Sequence, residues 1–204
     1  ISVFLPSLRA HKPSDGKRID VGCKHYDDLF AWMDEIDKRL GENAPAWYVF
    51  DGLSMGAATV LTATGDDRFP ENVVAVIADC GFTSLVEQGK WLTRGMNLIL
   101  RGPAIFFAKI IFYFVMGYKL HDPTALSAVA RATVPIFIIH GSDDKFVPTW
   151  MSEKLIEACS SELQEYWVVE GAQHACSAFV AGSEYPRRKL LFIEKAMSWR
   201  KTQA

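Results

Sequence analysis

The chain concentrates charge of neither sign. Its 22 Lys and Arg stand against 24 Asp and Glu, a formal net charge of −2. No basic or acidic block occurs, which removes the electrostatic footprint of a nucleic-acid binder, and no nucleic-acid partner is expected. Cysteine is scarce: Cys23, Cys80, Cys159 and Cys176 are scattered, and no pair has CxxC spacing. That argues against a zinc knuckle or a dithiol redox motif. Four scattered thiols suit a reducing compartment, each as a small core residue, so a cytoplasmic location is expected. Internal repeats and low-complexity linkers are absent. The most apolar run, Ala104 to Met116, is 13 residues long and holds Lys109; a membrane span needs about 20. The sequence opens at Ile1 with no visible signal peptide.

Short apolar runs alternating with helical patterns fill the rest. Half of the 204 residues are hydrophobic and 12% are aromatic, enough for one domain with a sizeable core. Ser2 to Leu5 reads as a buried strand, followed by a polar, turn-rich loop to Gly22. Residues 25–40 place Leu29, Trp32, Met33, Ile36 and Leu40 on one helical face, with Gly41 as a stop. Strands are predicted at Trp47–Leu53, Val73–Cys80, Ile136–His140 and Tyr166–Val169. Helices are predicted at Met55–Thr64, from Pro148 to about Cys159, and at Leu190–Trp199. Strands that are apolar throughout and separated by helices imply a mostly parallel sheet covered on both faces, an α/β class. Residues 84–130 interrupt the alternation as a mostly helical insertion.

The stretch Val49-Phe50-Asp51-Gly52-Leu53-Ser54-Met55-Gly56-Ala57-Ala58 carries the chemistry. An apolar strand reaches Gly-x-Ser-x-Gly, and a helix of small residues follows. A nucleophilic serine needs a tight turn above the sheet, and side chains two positions before and two after it are expected to collide with the neighbouring strand and helix. The helix N-terminus points N–H groups at any oxyanion formed there, the Met55 N–H among them. A serine hydroxyl also needs a base, and the base an orienting acid. Asp143 and Asp144 both follow the strand Ile136–His140; Asp144 is preferred for the acid, with Asp143 as the alternative. His174 follows the strand Tyr166–Val169. His11 and His25 precede the nucleophile, His121 precedes the acid in a turn, and His140 reads as a structural strand-end residue. The paired aspartates could hint at a metal, but no second ligand cluster supports one; no metal or cofactor is expected.

At these residues the chain resembles the α/β-hydrolase superfamily, and more narrowly bacterial serine hydrolases of the S9-peptidase-like type. The resemblance rests on Leu8 to His11 with Ser14 and Gly16, on Gly52 to Leu61, on Ala78 to Ser84, on Ile139 to Gly141 through Asp144 to Pro148, and on Gly171 to His174. It implies an α/β-hydrolase fold with the catalytic triad Ser54, Asp144 and His174. Three departures stand out. Ser7 and Lys12-Pro13 replace family residues in the first loop. Asp51 precedes the turn where relatives often carry an apolar residue or His; it either acts against an oxyanion or faces the loop rim. About three strands that the resemblance places before Ser2, with the loop supplying a second oxyanion donor, are not found. The chain 1–204 therefore reads as a single catalytic domain, N-terminally incomplete, with a cap at about 84–130. The apolar run in that cap, with Phe107, Phe112 and Phe114, either lines an acyl pocket, meets a lipid surface weakly, or packs on the sheet edge. The expected reaction is hydrolysis of a carboxylic ester-type bond of a small apolar acyl or aryl substrate through an acyl-enzyme. Thioesterase, peptidase and a non-catalytic binding module are the alternatives, and the oligomeric state stays open.

Overall fold

The structure is a computed structural model that describes residues 2–19, 25–116 and 123–203; Cys23 and His121 lie outside them. Four parallel strands, β1 (Tyr48–Leu53), β2 (Val73–Asp79), β3 (Ile136–Gly141) and β4 (Gln164–Val169), form one sheet in sequence order. β2 and β3 are buried along their whole length, as strands covered on both faces must be. Side-chain alternation divides the core in two. Val76, Ala78, Ile136 and Ile138 pack with Leu61, Val129 and Leu155 on one face. Ala75, Ile77, Phe137 and Ile139 pack with Phe192 and Ala196 on the other. Each fully buried Val, Leu, Ile or Phe among them contributes about 1.5–3 kcal/mol relative to exposure.

Helix α1 (Tyr26–Leu40) ends at Gly41, whose φ of 53° no other residue type adopts as cheaply. Helix α2 (Met55–Ala63) follows β1 directly, and its Ala57, Ala58 and Ala63 are buried. Helices α3 (Leu85–Leu92), α4 (Leu98–Met116) and α5 (Ala125–Val129) make up the insertion, and α6 (Trp150–Ala158) follows β3. Helices α7 (Ser177–Ala181) and α8 (Glu184–Gln203) close the chain.

Four expectations change. Ser2 to Leu5 form no strand, because among the described residues no strand lies beside them to supply ladder partners. Phe4 instead stacks on Trp32 at 5.2 Å. Helix α8 starts six residues before Leu190, where Glu184 pairs with Arg187 and Arg188 at 2.7 and 2.8 Å. These i,i+3 and i,i+4 pairs, with an acid at the helix start, extend the helix beyond its apolar stripe. Helix α6 begins at Trp150, two residues after Pro148. Finally, the apolar run of the insertion is the C-terminal part of a 19-residue helix, α4, with Pro103 inside it. The window Leu98–Val115 is long and apolar enough to cross a membrane, so length alone does not exclude one.

Candidate active site

All four strands point their C-terminal ends at one rim. The register pairs Leu53 with Asp79, Asp79 with Ile139, and Gly141 with Val169. The loop after each strand therefore opens at a similar height, and three of these loops carry Ser54, Asp144 and His174.

Ser54 sits between β1 and α2 with φ 54° and ψ −111°, a left-handed conformation that a non-glycine residue holds only under constraint. The constraint is visible on both sides. The Ser54 N–H donates to the Asp79 carbonyl at 2.8 Å, and the Ser54 carbonyl accepts from Ala58 N–H at 3.0 Å. A Cβ on Gly52 would lie 2.3 Å from the Gly56 carbonyl oxygen, so only glycine lets the strand and helix meet this closely. The same is not true of Gly56: a Cβ there meets nothing within 4 Å, contrary to the expected collision, because it points away from the sheet. Met55 opens α2, and a first-turn N–H has no acceptor within its helix.

Ser54 Oγ lies 2.8 Å from His174 Nε2, and His174 Nδ1 lies 2.7 Å from Asp144 Oδ2. An ionised carboxylate can only accept, so Nδ1 carries the proton and Nε2 presents its lone pair to the serine hydroxyl. Asp144 Oδ1 accepts the backbone N–H groups of Phe146 and Val147 at 2.9 and 2.8 Å. Burial by itself pushes the Asp144 carboxyl up; hydrogen bonds from His140, His174 and the Val147 N–H outweigh that and hold it below the ordinary carboxylate range. Asp143, the competing acid, is exposed. Its N–H donates to the Ala172 carbonyl at 2.9 Å, so the residue ties the acid loop to the histidine loop with its backbone.

Several residues that sequence reasoning left aside belong to this site. His140 is fully buried; its Nε2 is 2.9 Å from the Val147 carbonyl and 3.3 Å from Asp144 Oδ2, so it braces the acid loop. The i,i+4 spacing of His140 and Asp144 across a strand end was the available signal. Gly141 admits no side chain: its Cβ would stand 2.2 Å from the Ala172 carbonyl oxygen. Phe146 stacks on His174 at 4.9 Å. Asp79 is buried and accepts from Ser177 Oγ at 2.9 Å and Tyr185 Oη at 3.0 Å. Burial raises its carboxyl against the pull of those two hydroxyls. Asp79 thus fastens the segment just after His174, and α8, to the end of β2, whose last carbonyl accepts the Ser54 N–H.

Cys80, with φ 50°, follows Asp79 beneath the triad. Burial and then the Asp79 charge push its thiol up to about 12, against N–H hydrogen bonds from Ala175 and Ser54. It stays protonated at neutral pH. Cys80, Asp144 and His174 offer ligand atoms within 4.8 Å of one another, but the aspartate and histidine atoms face each other in the hydrogen bond above. Asp51, within β1 three residues before Ser54, pairs with Lys189 of α8, so a cation matches its charge. The other described histidines lie elsewhere: His25 is buried at the start of α1, and His11 Nδ1 approaches the Arg9 carbonyl at 3.2 Å.

The cap rings Phe107 and Phe114 are exposed, and each packs edge-on against a neighbour on α4, Phe106 and Tyr113 respectively. Phe112 is half-buried on the same helix. A surface cavity of about 430 Å³ lies at the opposite end of the strands, between Thr64, Val73, Pro135 and Trp199, away from the triad.

Comparison with known proteins fits this arrangement. The chain is 26% identical over 176 residues to the uncharacterised protein YqkD of Bacillus subtilis, covering 86% of this chain and 56% of that protein. It is 25% identical over 182 residues to Rv2307c of Mycobacterium tuberculosis, covering 85% and 53%. The chain thus spans little more than half the length of these relatives. Among solved structures it resembles the Pyrococcus furiosus esterase Pf2001, with a TM-score of 0.69 and 23% identity over 92% of this chain and 68% of the esterase. A monoacylglycerol lipase of Paleococcus ferrophilus matches with a TM-score of 0.55 and 19% identity over 90% and 79%. These likenesses show the fold, which is that of the α/β-hydrolases. The sequence profile of the serine hydrolase (FSH1) family matches residues 9–175, and the chain belongs to that family.

Proposed function

We propose that the protein hydrolyses carboxylic ester-type bonds through a covalent acyl-enzyme formed on Ser54. The observation that carries this reading is the unbroken hydrogen-bond chain from Ser54 Oγ through His174 to Asp144. Ser54 Oγ attacks the acyl carbon as its proton passes to His174 Nε2. Asp144 holds the ring in the required tautomer and stabilises the imidazolium. The Met55 N–H, at the positive end of α2, helps hold the oxyanion. The imidazolium then protonates the leaving alkoxide. Water, deprotonated by His174, releases the acid and restores the serine.

A small apolar acyl or aryl group suits the rim, where Phe146 lies against the His174 ring. The compartment we propose is the cytoplasm, because Cys80 and Cys159 are buried as free thiols. Thioesters and peptides use the same machinery, so the substrate assay must compare leaving groups. Purified protein is given p-nitrophenyl esters of rising acyl length alongside acyl-CoA thioesters and peptide p-nitroanilides. The expected result is fastest turnover of the short and medium oxygen esters. Faster turnover of thioesters or anilides would reassign the substrate, and no turnover of any of them would remove the enzymatic reading.

A further inference from the structure

Helix α4 presents a surface that the hydrolase reading does not use. Apart from Arg101 and Lys109 it is apolar along its length, and it packs against α3. Leu98, Ile99 and Phe114 are 79%, 81% and 78% exposed, and Ile111 is 61% exposed. A helix with so little polar surface belongs either in a protein core or in lipid, and no residue of the window Leu98–Val115 is fully buried in the fold.

The charge around it is one-sided. Between Glu87 and Asp122 the sequence holds five Lys or Arg and no acidic residue, whereas outside that stretch 17 basic residues face 24 acidic ones. At the base of α4 these cations sit with aromatics. The Arg94 guanidinium stacks on Trp91 at 3.8 Å, Trp91 meets the Trp150 ring at 6.4 Å, and Arg101 donates to the Lys90 carbonyl at 2.7 Å. Tryptophan and basic side chains at the foot of an apolar helix match the depth profile of a bilayer, rings at the headgroup level and cations on the phosphates.

We propose that α4 and the collar Lys90, Trp91, Arg94 and Arg101 dock the protein on an anionic lipid surface, with α4 lying in the interface. A second copy of the chain fits less well, since meeting through this end would bring two basic collars together. A spanning helix fits less well too. Only eight residues connect the end of α4 at Met116 to the start of α5 at Ala125, which is buried in the same fold as α3. Fully extended they reach about 29 Å, against about 40–45 Å of bilayer with its headgroups. The collar is also fastened to the acid loop: Trp91 Nε1 donates to the Lys145 carbonyl at 3.0 Å, and Gln88 Nε2 to the Phe146 carbonyl at 2.8 Å. Docking therefore brings the rim with Ser54 near the lipid, where esters with long apolar tails reside.

The test is flotation of the full chain with vesicles of phosphatidylcholine, alone or with a quarter phosphatidylglycerol, at low and high salt. The expected result is flotation with the anionic vesicles, reduced by high salt. K90E/R94E/R101E should lower the partition by about a hundredfold. Ile111→Asp with Phe114→Asp should abolish flotation with the anionic vesicles. Circular dichroism checks that each variant is folded, and the charge-reversal set carries the test if the aspartate pair misfolds. Ser54→Ala should float like the wild type, which separates this proposal from the catalytic one. Protein that stays unbound with every vesicle overturns it. So does a dimer in light scattering that the aspartate pair dissolves without any flotation, or a membrane-bound form that alkaline carbonate fails to release.

Discussion

Replacing Gly52 with alanine places a methyl carbon 2.3 Å from the Gly56 carbonyl oxygen, 2.4 Å from its carbon and 2.6 Å from the Ala57 nitrogen. All three are backbone atoms at the start of α2, so no side chain can swing aside. Relief requires β1 and α2 to separate by roughly the ångström that divides these distances from ordinary van der Waals contact. Overpacking of this kind costs about 1–3 kcal/mol, which for a chain of this size lowers Tm by about 2–4 °C per kcal/mol. The catalytic effect is larger, because Ser54 is carried by the same joint and its 2.8 Å contact with His174 must lengthen. A misplacement of about 1 Å costs on the order of a hundredfold in rate. Gly56→Ala is the matched control. Its Cβ enters open space, and alanine for glycine in a helix gains about 0.5–1 kcal/mol, so its Tm should hold or rise. Thermal melts and steady-state ester hydrolysis on the two variants read both effects. Gly52→Ala with wild-type Tm and rate, or Gly56→Ala destabilised as much as Gly52→Ala, refutes the reasoning.

Three further outcomes are expected. Asp144→Asn keeps an oxygen for the Phe146 and Val147 N–H groups, so the fold survives, but it disfavours the required tautomer of His174; kcat should fall by on the order of 10⁴, and a loss under tenfold would show that Asp144 is not the orienting acid. Asp79 titrates higher in the fold than in the unfolded chain, so its contribution is greatest below the ordinary carboxylate range and is lost as pH rises through the raised folded value. Relative to wild type, Asp79→Asn should gain stability in urea melts as pH rises from about 4 through the raised folded value, and a difference that stays constant with pH would contradict the burial argument. Asp144 has the opposite sign: its lowered carboxyl adds stability above the ordinary range that disappears as pH falls through the folded value, so Asp144→Asn should flatten the acid side of the wild-type stability curve.

The parallel sheet and the three loops of the triad were legible because their signals are local. β2 is a run of buried Val, Ile and Ala bounded by turns, and Ser54, Asp144 and His174 each follow a strand with a β-rich sequence. The braces around them were not legible, because they depend on pairs distant in sequence. Nothing in the local pattern tells that Gly141 must clear the Ala172 carbonyl, or that Asp79 holds Ser177 and Tyr185 about a hundred residues on. Asp51 was ambiguous for the same reason until Lys189 appeared beside it. Ser2 to Leu5 form no strand because an apolar run needs a neighbour to pair with, and among the described residues the sheet offers none there. The motif predicts crowding on both sides of the serine, whereas a Cβ is crowded at Gly52 and meets open space at Gly56.

The central claim is that Ser54 is the nucleophile, activated by His174. It is tested most directly by treating the full protein with a fluorophosphonate and reading intact mass and peptide fragments. The account predicts one adduct, on the peptide carrying Ser54, abolished by Ser54→Ala and strongly slowed by His174→Ala. A folded protein that takes up no label, or labels equally after Ser54→Ala, would contradict it.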